Sequence, residues 1–193
     1  MRLFAARLTA CMALLLATTA AFAQAGKTEL LWLGQAAFRL TTPSGKVIMI
    51  DPWIRTNPTT PAEYKDLEKL GKVDLILVTH GHFDHIADAP ALAMLHKARV
   101  FSPGDLNQTL TVLKVLPPEL APRMNKSGSV TPFADAPKIK ITAVRAEHSS
   151  AYVWRNPASN ADEVHVGGEP VGFIIELERS EERRVGKECT IQC

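Results

Sequence analysis

Val73-Asp74-Leu75-Ile76-Leu77-Val78 runs directly into Thr79-His80-Gly81-His82-Phe83-Asp84-His85. A nearly all-apolar run of leucine and β-branched residues reads as a strand buried on both faces, so it needs a covering layer on each side. The polar cluster that ends it holds three of the chain's 6 histidines. At this composition the pattern H-x-H-x-D-H arises by chance about twice in ten thousand such chains. A loop leaving a strand end can turn alternating side chains inward. His80 and His82 can then reach one ion, and Asp84 and His85 a second ion beside it. Neutral imidazoles and a carboxylate suit Zn²⁺, with Mn²⁺ or Fe²⁺ as alternatives. Burying this many ionisable groups without a metal is costly.

A catalytic zinc commonly takes three protein ligands and leaves one position for water. The third donor has to come from His96, His148 or His165. His96 falls on a predicted helix and reads as an exposed helical residue. His165 stands in a polar stretch between Val164 and Val166. His148 follows a core strand and precedes Ser149-Ser150, as a ligand at a strand end should, and it is preferred.

The rest of the chain reads as mixed α/β. Leu30–Leu33, Ala37–Thr41 and Lys46–Asp51 are predicted strands, the last two joined by a Pro43-Ser44-Gly45 turn. Thr59–Leu70 is predicted as a short helix ending at Gly71. Ala87–Lys97 and Asp105–Leu116 read as helices, and Arg99–Phe101 as a strand between them. Pro118–Gly128 reads as loop. Lys138–Val144 and Val171–Glu178 read as strands, separated by a long polar loop over Glu147–Glu169.

Both ends differ in character from this body. Arg2 and Arg7, an apolar Leu8–Phe22 and Ala21-Phe22-Ala23 have the layout of a cleaved secretory signal over 1–23. An exported, periplasmic or secreted protein is expected, with no membrane anchor after cleavage. Residues 179–193 begin with Arg179-Ser180-Glu181-Glu182-Arg183-Arg184-Val185-Gly186-Lys187-Glu188-Cys189, which resembles the translation of a sequencing adapter. They are expected to be an artefactual tail, either disordered or a forced extension of the preceding strand. Of the 3 cysteines, Cys11 lies in the leader and Cys189 and Cys193 in the tail. The domain expected over 24–178 thus has no cysteine, and any metal there must be held by His, Asp or Glu. The net charge of the whole chain is +2. That balance gives no support for a nucleic-acid partner.

Thr79–His85 after a buried strand resembles the signature of the metallo-β-lactamase superfamily. Gly34 and Ile50-Asp51-Pro52-Trp53 before it fit the resemblance. So do Ala146-Glu147-His148-Ser149-Ser150 and Gly167-Gly168-Glu169-Pro170-Val171-Gly172-Phe173 after it. These flanks are similar to the metal-dependent hydrolase branch that includes ascorbate-6-phosphate lactonase-like enzymes, over about residues 28–178. The resemblance implies an αββα sandwich with metals at one edge, of which this chain would be the N-terminal portion. It implies that His80, His82 and His148 bind a first ion, and that Asp84 and His85 contribute to a second. The family's bridging aspartate, usually in a Gly-Asp-Thr context, and its final histidine have no match here, so an incomplete and inactive site is expected. Ser127 in Met124-Asn125-Lys126-Ser127-Gly128 interrupts what is usually a glycine pair.

A metal-dependent hydrolase is the leading expectation, acting through a metal-activated water on a small ester, lactone, amide or phosphoester. Asp84 would orient that water. Asp51, at a strand end, would fix a ligating imidazole from behind. No phosphate-cradling glycine loop or basic cluster selects among these substrates. The alternative is an exported metal-binding protein without catalysis.

Overall fold

A computed structural model describes residues 26–178 and the backbone of 189–191. The expected leader over 1–23 and most of the 179–193 tail lie outside the described residues.

Six strands form the first sheet in chain order. They are β1 (Glu29–Trp32), β2 (Phe38–Thr41), β3 (Val47–Ile50), β4 (Leu75–Leu77), β5 (Arg99–Pro103) and β6 (Arg123–Met124). β1, β2 and β3 pair antiparallel, whereas β3 to β6 pair parallel. Parallel neighbours require crossover connections. These carry α1 (Phe83–Ile86) and α2 (Ala89–His96) between β4 and β5, and α3 (Gly104–Val112) between β5 and β6. The second sheet is antiparallel. It contains β7 (Ser129–Val130), β8 (Lys140–Arg145), β11 (Val171–Glu176) and β12 (Cys189–Ile191), in the order β12-β11-β8-β7.

The strand period of two explains why β4 is apolar throughout. Leu75 and Leu77 join a core between the sheets with Ile48, Ile50, Phe101, Ile141, Phe173 and Ile175. Ile76 and Val78 point the other way, into a core with Met49, Val100, Leu92, Leu106 and Leu110 beneath the helices. All four β4-run side chains are fully buried. The buried apolar residues of α1, α2 and α3 all join this second core. Helices, sheet and sheet, three of the four layers of the expected αββα sandwich, are thus laid out among the described residues.

Several local expectations are corrected. Thr59–Leu70 is not one helix but two 3₁₀ turns, Ala62–Tyr64 and Leu67–Leu70. Asp66 separates them in an extended conformation (φ −86°, ψ 105°), and its side chain accepts the Glu68 N–H. An N-capping side chain restarts a helix rather than continuing one. Pro118–Gly128, read as loop, contains a 3₁₀ turn at Pro118–Leu120 and the short β6. The expected loop over Glu147–Glu169 is largely a hairpin of β9 (Ala151–Arg155) and β10 (Asp162–Val166). Its inward face carries buried Tyr152 and partly buried Trp154, and its outward face sets Val153 against Val164. Val166 shares the solvent side with that pair, whereas Glu163 and His165 share the inward face with Trp154 and Tyr152. In the tail, Cys189–Ile191 does not prolong β11 but pairs antiparallel with Phe173–Ile175.

Candidate metal centre

The end of β4 is held from both sheets. Asp51 N–H donates to Leu77 O and Val78 N–H to Phe101 O, each at 2.9 Å. Val171 N–H, at the start of β11, donates to Thr79 O at 3.0 Å. The chain then passes Gly81 against the base of the hairpin. A Cβ on Gly81 would lie 2.9 Å from Ala151 O and 3.2 Å from Gly167 Cα, so only glycine fits this passage without displacement. Gly81 N–H donates to Ser150 Oγ at 3.2 Å. His82 is the N-cap of α1, and its carbonyl accepts the N–H groups of His85 and Ile86. That turn swings Asp84 and His85 back toward the strand end.

His80, His82 and His148 each place a ring nitrogen within 4.8 Å of the others. His148 arrives from the second sheet, in the segment between β8 and β9. Ring centroids of His80 lie 4.6 Å from His82, 4.8 Å from His148 and 4.0 Å from His85. His80 is fully buried, His82 half-buried and His148 exposed, so the cluster opens to solvent on the His148 side.

The hydrogen bonds behind the cluster fix which nitrogens face it. Asp51 is fully buried and holds an unusual positive φ of 44°. Its Oδ1 accepts the Thr79 N–H, and its Oδ2 accepts the Thr79 hydroxyl, both at 2.7 Å. With its proton donated there, Thr79 Oγ1 accepts from His80 Nδ1 at 3.0 Å. Asp51 Oδ2 also accepts from His85 Nδ1 at 2.9 Å. This assignment leaves the Nε2 lone pairs of both His80 and His85 facing the cluster. One carboxylate therefore orients two imidazoles, one directly and one through a threonine.

The chemistry of the donors fits a divalent ion. His80 Nε2 and His82 Nδ1 stand 3.0 Å apart, near the about 3.3 Å edge that Zn–N bonds of about 2.0–2.1 Å give in a tetrahedron. Burial, with His85, His82 and His148 alongside, lowers the His80 pKa from 6.5 to about 3. His80 is thus neutral at physiological pH, as a ligand must be. Asp84 lies beside this group rather than in it, with Oδ2 3.7 Å from His85 Nε2. Gln35 Nε2 donates to the same Asp84 oxygen at 3.4 Å.

The other two histidines are elsewhere. His165, on β10, packs against Trp154 and lies 3.3 Å from Glu163. His96 closes α2. Thr79 and Gln35 were given no role by sequence reasoning. Thr79 immediately precedes the first histidine, a position that could have drawn notice. Gln35 lies 49 residues from Asp84 and carries no local signal.

Residues 46–186 match the family described as beta-lactamase superfamily domain. A UPF0173 metal-dependent hydrolase of a Polaromonas species is 66% identical over 153 residues, 79% of this chain and 55% of that protein. Another from Cupriavidus necator is 59% identical over 154 residues, 80% of this chain and 53% of that protein. Among solved structures, Igni18, a metallo hydrolase from the archaeon Ignicoccus hospitalis, aligns with a TM-score of 0.61 at 32% identity, covering 78% of this chain and 56% of that one. The chain spans about half the length of the curated relatives it matches.

Proposed function

This chain belongs to the beta-lactamase superfamily, and we propose that it is the metal-binding portion of a zinc-dependent hydrolase acting on a small ester, lactone, amide or phosphoester. The observation that carries this reading is the convergence of His80, His82 and His148, with the Nε2 lone pair of His80 aimed inward by the Asp51–Thr79 relay. His80, His82 and His148 would hold one zinc ion; Asp84 and His85 would contribute to a second position. Zinc held there would supply Lewis-acid activation of water and of the scissile bond. Asp84, partly exposed at the mouth of the cluster, would accept a hydrogen bond from the attacking water and set its direction. Gln35 holds the Asp84 carboxylate in place. Asp51 keeps His80 and His85 in the tautomer that presents Nε2. Export to the periplasm or medium is part of the proposal and rests on residues 1–23.

The test is to purify the chain without metal, load it with zinc, and assay panels of lactones, esters, amides and phosphodiesters. Zinc bound by the chain and lost in His80→Ala and His148→Ala is expected, with any turnover lost alongside. Zinc binding that survives both substitutions would refute the site.

A further inference from the structure

The rim of the histidine centre carries aromatic surface that the fold itself does not use. Phe83 stands between His82 and Asp84, yet its side chain is 64% exposed and belongs to neither core. Trp53 meets its ring edge-on, with centroids 5.2 Å apart and planes at 74°. Trp53 is fixed in turn, because its Nε1 donates to Thr56 Oγ1 at 2.7 Å. Trp32 is 56% exposed and donates from Nε1 to Gln35 O at 2.9 Å. Gln35 takes a positive φ of 51° and reaches Asp84 with its side chain.

Single exposed apolar side chains are ordinary. A contiguous pair of rings beside a cluster of metal-binding type is a different matter, since clustered exposed apolar surface marks recognition sites. Each ring here is held by a polar tip or an edge contact. A flat partner that covers them therefore displaces water without having to order the protein first.

Resting on the hydrolase reading above, we infer that Phe83 and Trp53 form a subsite for a planar apolar group of the substrate, next to the bond that is cleaved. Gln35 adds a carboxamide at the same rim. The ring pair narrows the substrate to one with an aromatic or similarly flat apolar part beside the cleaved bond. A short aliphatic acyl group would leave both rings hydrated.

Phenylacetate and acetate serve as product-like probes of equal charge. The zinc-loaded chain is titrated with each, by calorimetry and by tryptophan fluorescence. Phenylacetate is expected to bind about tenfold tighter than acetate and to perturb the fluorescence. Phe83→Ala should bring the two affinities within about twofold, and Phe83→Tyr should keep the preference. Far-UV circular dichroism and zinc stoichiometry, read in parallel, should be unchanged, because Phe83 supports no core. Equal affinities in the parent chain, or a preference that Phe83→Ala leaves intact, would overturn the subsite. So would self-association that Phe83→Ala abolishes without any phenylacetate preference, which assigns the rings to a protein contact. Ester turnover is measured separately. A retained aromatic preference in a chain whose His80, His82 and His148 take up no zinc defeats the hydrolase reading and leaves the subsite standing. Hydrolysis that treats aryl and alkyl esters alike defeats the subsite alone.

Discussion

Asp51 is held at φ 44° and buried, a combination that costs free energy for any residue but glycine and is best tolerated by Asn and Asp. The strain is offset by four accepted or supported contacts at the strand end: Thr79 twice, His85 once, and His80 through Thr79. Asp51→Asn keeps the shape and the left-handed backbone but replaces a charged acceptor by an amide. Zinc affinity should fall about 10- to 100-fold while the fold persists, as read by competition with a chromophoric chelator. Thr79→Val should fall in the same range, and Thr79→Ser should recover most of the loss. Protonation gives a second check at this scale. His80 has a folded pKa of about 3 against 6.5 for the ordinary imidazole. Between these values the unfolded chain binds a proton at this position that the folded chain does not. The contribution to stability is therefore complete above about pH 6.5 and is lost progressively as pH falls toward 3. Urea midpoints of the metal-free chain should follow that slope, and His80→Asn should flatten it; identical profiles would contradict the assignment.

Elements placed these residues, and their legibility from sequence was uneven. The buried β4 run was readable because period two and period one collapse into a solid apolar string when both faces are covered. His80 and His82 followed from it. His148 was readable because β8 alternates cleanly before it. The β9–β10 hairpin was not, because its pattern is inverted: Val153, Val164 and Val166 face solvent while Glu163 and His165 share the inward face with Trp154 and Tyr152. The Asp51–Thr79–His80 relay was half readable: the aspartate stood out, whereas the threonine's part needs three dimensions. Contacts between elements make their own predictions. Gly81→Ala would drive a methyl against Ala151 O and Gly167 Cα, backbone atoms with no rotamer to yield. It should push the hairpin off the His80–His82 loop, lowering zinc affinity and stability together, whereas an exposed change at Val164 should do neither. The turn between β6 and β7 offers the opposite case. Ser127 sits at φ 67°, with its N–H bonded to Ala143 O at 2.7 Å. Glycine adopts that conformation freely, so Ser127→Gly should raise stability by about 0.5–1 kcal/mol, measured as a shift in denaturant midpoint at constant slope.

At the scale of the whole molecule, the histidine centre is where the two sheets meet. His80 and His82 leave the first sheet through β4, and His148 leaves the second through β8. The distance between them is therefore set by the core between the sheets. Phe173 is among the largest fully buried side chains of that core, on β11 beside β8. Phe173→Ala should cost about 3–5 kcal/mol by lost transfer energy and residual cavity. It should also loosen the approach of His148 to the His80–His82 pair, although it touches none of them. Zinc provides the readout for both effects. An ion that binds only the folded state stabilises it by about 2.7 kcal/mol at a hundredfold excess over its dissociation constant. Zinc at fixed concentration should raise the unfolding midpoint of the parent chain, should do nothing for His148→Ala, and should do measurably less for Phe173→Ala. A Phe173→Ala chain that is destabilised yet gains as much from zinc as the parent would show that the loops, and not the inter-sheet core, set the geometry of the centre.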